Sequence, residues 1–187
     1  MFDVMIIGGG VAGLAASLFT AKAGLTTVVF DNDVSQALKV HAIHNYLGIP
    51  EISGAELLHR YREQVSAVGV QLRNETVVAW EHVKPYFRVT TEAESYDCKY
   101  LVIATNLNTQ PLTDFGFDVV VNQKVPSGKI RMVEGLGPEG QTHIPGLYIA
   151  GLLSGAASQA IIAAGQGASV GVDIATKAAG KSYMWHD

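Results

Sequence analysis

One stretch near the start of the chain decides the fold: Phe2-Asp3-Val4-Met5-Ile6-Ile7-Gly8-Gly9-Gly10-Val11-Ala12-Gly13-Leu14. Its apolar part, Val4 to Ile7, predicts a buried strand, and the alanine-rich run that continues to Ala23 predicts a helix. The glycines between them follow the spacing GxGxxG. A second strand, Thr26 to Phe30, ends on Asp31. Strand, glycine turn, helix and a second strand with a terminal acid are together typical of a βαβ unit that binds a dinucleotide.

Each glycine of the motif has a physical role in this interpretation. We expect Gly8 to form the tight turn out of the strand, Gly10 to leave room for a pyrophosphate, and Gly13 to let the helix pack closely on the sheet. Val11 and Ala12 then open the helix, whose unpaired N–H groups would meet the phosphates. The alternative is a glycine-rich turn in a βαβ unit that binds nothing.

The acid at the end of the second strand predicts the next part of the site. Asp31 would accept hydrogen bonds from the hydroxyls of a ribose, with the polar Asn32 beside it.

Composition narrows the class of protein. The 187 residues are 48% hydrophobic and 16% charged, so the chain can bury a sizeable core, and we expect residues 1–187 to form a single domain. A formal charge of −4 without a basic patch argues against nucleic acid as a partner. The small-residue run 154–179 is broken by glycines, which argues against a membrane span. Met1 leads directly into a strand, leaving no room for a signal peptide, so we expect a cytoplasmic protein.

The cysteine and histidine content excludes some chemistries. Cys98 is the only cysteine, so an internal disulfide and a CxxC redox pair are impossible, and we expect its thiol to be structural. His41, His44, His59 and His82 have no spacing that would assemble a metal site.

The remaining chain predicts an α/β fold with a Rossmann-like parallel sheet, helices on both faces and a small antiparallel meander between about Val77 and Asp97. Residues 36–43 have no clean period and are interpreted as a loop. Ser53 and Glu56 have the spacing of a capping box at the start of a helix that ends near Gly69. Residues 100–104 predict a strand buried on both faces. A long helix of Ala, Gly, Ser and Ile is predicted from about Ala157 to Ala179, its small faces close to a sheet or a flat ligand.

Four motifs along the chain resemble the flavin-binding half of the thioredoxin reductase family. They are the glycine fingerprint, Asn45-Tyr46-x-Gly48, Ile103-Ala104-Thr105, and the run Pro145 to Gly151 followed by Gln159-Ala160. The resemblance implies that the cofactor is FAD. It also implies a site at the following residues: Asn45, Val77, Ala104, Thr105, Gly151, Gln159 and Ala160. In that family the Gln-Ala pair opens the helix that faces the flavin.

The chain departs from the family in ways that bear on activity. The family inserts an NADPH domain with a second GxGxxG and a CxxC pair, and here the short segment 106–117 stands in its place. Asn106 replaces the family's glycine, Leu152 its ribityl-binding acid, and Ser158 the arginine before Gln-Ala. Electrons would therefore come from free NAD(P)H, a redox partner protein or a second chain, for example in a homodimer.

Three functions stay open at this point. The first is an FAD-binding oxidoreductase-like protein with unknown electron donor and acceptor. The others are a non-catalytic flavin or nucleotide-binding module and the flavin subunit of a complex. His44 is either a proton donor near the flavin or a solvated loop residue. Tyr183 and Trp185 either cap the flavin face, form a dimer contact or belong to a frayed tail.

Overall fold

The computed structural model describes residues 1–105 and 109–185, and its centre is a seven-stranded sheet. Nine strands run in chain order: β1 (Phe2–Ile7), β2 (Thr27–Asp31), β3 (Gln71–Asn74), β4 (Val77–Val83), β5 (Tyr86–Thr91), β6 (Ser95–Ile103), β7 (Val119–Val121), β8 (Arg131–Val133) and β9 (Leu147–Ile149). The sheet has the order β3-β2-β1-β6-β5-β4, with β9 also paired to β6, while β7 and β8 pair with each other outside it. The predicted α/β class is confirmed.

The described residues contain four α-helices beside the sheet: α1 (Val11–Lys22), α2 (Gly54–Ala67), α3 (Gln110–Asp114) and α4 (Ala160–Ala179). Helices lie on both faces of the sheet, as predicted, but one face carries most of the helical residues. The three long helices α1, α2 and α4 cover one face. The other face is covered by the meander, the β7–β8 pair and the short α3, whose Leu112 is buried there.

The central strand β6 belongs to two kinds of sheet at once. At Cys98 it pairs in parallel with Phe2 of β1 and antiparallel with Phe87 of β5. From Leu101 onward the side of β6 that pairs with β5 earlier in the strand pairs with β9 instead, in parallel. Sequence analysis divided this strand into a meander piece and a separate buried strand, which was wrong because Cys98 continues the pairing through the polar residues between them. The meander itself, from β4 to the start of β6, is confirmed.

The apolar run in β1 is buried on both faces. Val4 and Ile6 point into the core beneath the long helices, and Met5 and Ile7 point into the core on the other face. Strands of a parallel sheet that is covered on both sides need this continuous apolar pattern. β1 therefore holds the glycine turn that follows it on a rigid base.

The helix boundaries follow local chemistry. Ser53 caps α2, because its hydroxyl accepts a hydrogen bond from the backbone N–H of Glu56 at 3.1 Å, as predicted. Two boundaries differ from the prediction. Residues 36–39 form a short 3₁₀ helix inside the predicted loop, with Ser35 as its N-cap. α4 begins at Ala160 instead of Ala157, because Gly155 turns the chain through a left-handed conformation before the helix starts.

The small residues of α4 pack against another helix. A Cβ atom on Gly167 would overlap the backbone of Ala12, and a Cβ on Gly171 would overlap the carbonyl oxygen of Ala16. Both pairs are spaced by four residues, so they form one continuous line of contact between α4 and α1. The predicted small face therefore serves helix–helix packing.

No helix in the described parts of the chain is both long enough and apolar enough to cross a membrane.

Gly167→Ala should lower the free energy of unfolding by about 1–3 kcal/mol, because the new methyl group has no space against Ala12. Gly165→Ala is the matched control on the same helix, since its Cβ would meet nothing within 4 Å and the change should stabilise by about 0.5–1 kcal/mol. Urea unfolding followed by circular dichroism measures both. Equal effects for the two variants would contradict this packing.

Candidate functional site

A cavity of about 560 Å³ lies where β1, β2 and β6 end and α1 and α4 begin. This is the edge at which open α/β sheets bind their ligands. The cavity is lined by all the site residues predicted from the sequence except Gly13 and Val77: Gly8, Gly10, Val11, Ala12, Asp31, Asn32, Asn45, Ala104, Thr105, Gly151, Gln159 and Ala160. The structure thus brings together residues from six separate segments, and their role as ligands of FAD stays a prediction.

Two glycines of the fingerprint are required by the protein itself. Gly8 has a φ of +111°, and a Cβ there would lie 2.7 Å from the carbonyl oxygen of Ala104. A Cβ on Gly13 would overlap the carbonyl oxygen of Gly8. Gly8 therefore makes the turn, and Gly13 allows the close contact between helix and strand.

Gly10 is different, because nothing in the protein requires a glycine there. Its φ of −78° suits any residue, and a Cβ would meet only the hydroxyl oxygen of Ser35, at 3.3 Å. The absent side chain keeps open a space in front of the α1 N-terminus. That space fits the close approach of a phosphate to the backbone.

The start of α1 is prepared for an anion. In the described structure no side chain caps this helix and its first turn carries no acidic residue. Its first N–H groups therefore face the cavity without a side-chain acceptor, at the positive end of the helix dipole.

Two predicted residues that are far apart in sequence meet at the opposite end of the cavity. The side-chain amide of Asn45 donates a hydrogen bond to the side-chain oxygen of Gln159 at 2.6 Å. Gln159 is also the N-cap residue of α4. Behind Asn45, the hydroxyl groups of Tyr46 and Tyr61 lie 2.6 Å apart, and burial followed by this hydrogen bond raises the pKa of Tyr61. This pair fastens the Asn45 turn to α2.

Asp31 lies at the end of β2, as predicted, and it is held by a residue that the sequence did not indicate. The guanidinium of Arg62, on α2, donates to Asp31 at 2.8 Å and to Asp33 at 2.6 Å. No local pattern marked Arg62, because it lies on the polar side of an amphipathic helix.

The loop after β9 is held from two sides. Gly151 has a φ of +72°, and its N–H donates to the side chain of Gln166 on α4 at 2.7 Å. The fully buried Asn122 donates to the carbonyl oxygens of Leu152 and Ala156, both at 3.0 Å. Leu152, where the family has an acid, lines the cavity with an apolar side chain. Sequence reasoning missed both Gln166 and Asn122.

Val77 lines a second cavity, of about 300 Å³, which also contains Thr76, Glu75 and Trp80. The two cavities share three lining residues, Gly8, Asn32 and Thr105. The two cavities are therefore neighbours, and the second one extends along the start of β4. Asn106, which replaces the family's glycine, lies outside the described residues.

The structure also gives the positions of the single residues whose roles the sequence left open. His44 lines the first cavity, and its Nδ1 lies 3.5 Å from the carboxylate of Glu51. Trp185 packs edge-on against Phe19 and lies under the ammonium of Lys22, both on α1. The aromatic tail thus covers a helix instead of the cavity.

The fold is Rossmann-like, and its first cavity lies at the sheet edge where proteins of this fold class bind their ligands. A family model described as pyridine nucleotide-disulphide oxidoreductase matches residues 2–116. The chain belongs to this family.

Similar proteins agree with this assignment. A thioredoxin reductase of Spironucleus barkhanus is 33% identical over 117 residues, which are 60% of this chain and 38% of that protein. The thioredoxin reductase of Lactococcus lactis is 32% identical, with a TM-score of 0.55, over 58% of this chain and 36% of that chain. A thioredoxin reductase structure from Gloeobacter violaceus shares the fold, with a TM-score of 0.79, 20% identity and coverage of 100% and 98% of the two chains. This chain spans well under half the length of the curated relatives that it matches.

Cys98 should resist alkylation in the native protein. Its side chain is fully buried, and that burial raises the pKa of the thiol to about 12, so almost no reactive thiolate exists at pH 8.5. Iodoacetamide followed by intact-mass spectrometry should show no adduct on the folded chain and complete modification in urea. Native labelling at the rate of free cysteine would contradict the buried position.

Proposed function

We propose that the chain binds FAD and acts as an oxidoreductase-like flavin module related to thioredoxin reductase. The observation that carries this proposal is Gly10, a fingerprint glycine whose missing side chain opens space for a ligand and serves no packing need of the protein. A turn that served only folding would need Gly8 and Gly13 and would accept a side chain between them.

The residues present fit FAD along its whole length. The N-terminus of α1 would take the pyrophosphate at Gly10. The adenosine half would extend past Asp31 and Asn32 toward the second cavity and Val77. Two cavities joined at a glycine turn suit a long ligand with a ring system at each end better than they suit a mononucleotide.

The flavin half would lie in the part of the first cavity formed by Asn45, Gln159 and Ala160. The hydrogen bond between Asn45 and Gln159 fixes both amides, so each is oriented before a ligand arrives. The start of α4 carries no acidic residue in its first turn and favours negative charge nearby. FAD would supply the electron-transfer chemistry, and the protein would supply position and electrostatics.

His44, which precedes Asn45 in the chain, also lines the first cavity, and its role as a proton donor to the flavin stays a prediction. Its Nδ1 faces Glu51, which leaves Nε2 toward other partners.

The electron donor would be free NAD(P)H, a redox partner protein or a second chain. A single domain over residues 1–187, a homodimer and a cytoplasmic location stay predictions.

The alternative proposals are a non-catalytic flavin-binding module and the flavin subunit of a complex. The apolar Leu152 in place of the family's ribityl-binding acid removes one polar contact to the cofactor and therefore weakens FAD binding in all three proposals.

Gly10→Val should abolish FAD binding while the protein stays folded, since the added side chain occupies the space in front of α1 and its Cβ atom meets only Ser35, at 3.3 Å. The purified variant should lack the flavin absorption bands that the wild-type protein shows after incubation with FAD. Gly165→Ala, in open space on α4, is the control and should keep the bands. A folded Gly10→Val protein with wild-type flavin content would disprove the fingerprint interpretation.

The 187-residue chain should not sustain NADPH-dependent reduction of protein disulfides. Thiol–disulfide relay needs two thiols, and Cys98 is single and buried. The segment 106–117 is also too short for a second βαβ unit, which takes roughly thirty residues or more. The measurement is NADPH consumption with oxidised thioredoxin, beside a complete thioredoxin reductase as positive control. Slow anaerobic bleaching of bound FAD by NADPH fits this prediction, whereas repeated turnover of the disulfide contradicts it.

A further inference from the structure

The end of β2 carries a group of three charged side chains that the fingerprint alone does not require. Arg62 donates through the same nitrogen, Nη2, to Oδ2 of Asp31 at 2.8 Å and to Oδ1 of Asp33 at 2.6 Å. We call these three residues the ribose clamp. Asp31 is largely buried, with 17% of its side chain exposed, and Arg62 is partly covered, with 30% exposed.

The backbone is shaped to bring both carboxylates to one guanidinium. The N–H of Asp33 donates to Oδ1 of Asp31 at 3.3 Å, which closes a tight turn. Asp33 has a φ of +57°, a left-handed conformation that only a few non-glycine residues adopt readily, Asp among them. A Cβ on Gly9 would overlap the Asp31 carboxylate, so Gly9 gives that side chain its place.

The ribose clamp contains both kinds of side chain that proteins use to recognise the 2′ position of an adenosine ribose. A carboxylate at this position accepts hydrogen bonds from a free 2′-hydroxyl, whereas a nearby arginine accommodates a 2′-phosphate. Here the arginine is already paired with two carboxylates, so the clamp carries a net negative charge. An arriving 2′-phosphate would be repelled by both carboxylates, while each Asp31 oxygen keeps a lone pair for a hydroxyl.

We propose that Arg62 is a specificity-determining residue of the nucleotide site, which orients Asp31 toward a free ribose diol and is itself withheld from 2′-phosphates by Asp31 and Asp33. The proposal rests on the proposed function, since it takes Asp31 as the residue that meets the adenosine ribose. It assigns the site to nucleotides of the FAD and ADP type and excludes those of the NADP type. It also assigns a latent phosphate-binding role to Arg62.

The test compares three probes on the full chain by isothermal titration: ADP, 2′-deoxy-ADP and ADP carrying a 2′-phosphate. The wild-type protein should bind ADP about tenfold to a hundredfold more tightly than 2′-deoxy-ADP, as expected for a hydrogen bond to a carboxylate. It should bind the 2′-phosphorylated probe more weakly still. The quantity compared is the ratio of dissociation constants, because partial unfolding weakens all three probes alike and leaves ratios unchanged.

Arg62→Ala should reduce the preference for ADP over 2′-deoxy-ADP to about threefold or less. Without Arg62 the Asp31 carboxylate is mobile, and ordering it at the ribose hydroxyl costs binding free energy. Arg62→Lys should keep much of the wild-type preference for ADP, because a lysine ammonium can still pair with Asp31. Arg60→Ala is the matched control: Arg60 lies on the same helix, pairs with Glu56 and is 58% exposed, so its loss should leave every ratio unchanged.

The variant with both Asp31→Ser and Asp33→Asn should gain affinity for the 2′-phosphorylated probe by about tenfold or more, because it releases Arg62 and removes the repulsion. A loss of structure cannot produce this gain. If ADP binds but Arg62→Ala keeps the wild-type ratio, or the double variant gains nothing, the ribose clamp is disproved and the proposed function stands. If the wild-type chain binds neither FAD nor ADP, the proposed function fails and the clamp with it.

Discussion

The close contact between α1 and α4 is the constraint on which the site depends. Gly167 and Gly171 let the backbone of α4 touch the backbone of α1 at Ala12 and Ala16. Ala12 also lines the first cavity, so the same residue sets the helix spacing and the width of the site. Since the contact fixes both helices relative to β1 and β6, it brings two helix N-termini to one cavity, and neither start is blocked by an acidic residue among those described. Electrostatic attraction for an anionic ligand is thus a result of packing.

Much of the fold could be predicted because it depends on local patterns. The apolar run of β1, the spacing of Gly8, Gly10 and Gly13, and the cap at Ser53 each act over a few residues, and each predicted element is present. Most of the predicted cavity residues also come from short motifs whose strand ends must meet at one edge of a parallel sheet. Val77, which was predicted for the same site, lines the second cavity at the start of β4, and its contact with a ligand stays a prediction.

The rest depends on contacts between residues far apart in sequence. Arg62, Asn122 and Gln166 act through hydrogen bonds to Asp31, Leu152 and Gly151, and nothing in their own neighbourhoods distinguishes them from ordinary surface or loop residues. The continuity of β6 was missed for the same reason. Its polar middle is held in a strand by pairing with β1 and β5 on either side, and these strands are distant in sequence or not visible in its own pattern. Such residues support the site without belonging to a motif, so a single sequence cannot reveal them.

The pairing of β6 with β9 has a consequence for how this architecture can change. The chain leaves the sheet after β6 and returns on β9, which is hydrogen-bonded to β6, and in the described part of this segment β7 pairs with β8 outside the sheet. The two ends of the segment between β6 and β9 therefore lie next to each other in the sheet. The length of this segment is not fixed by the register of the sheet. Loop-closure entropy grows slowly, by about 0.6 kcal/mol for each doubling of length. A longer or shorter segment at this point would therefore leave the pairing of β6 with β9, and the core on either side of it, in place.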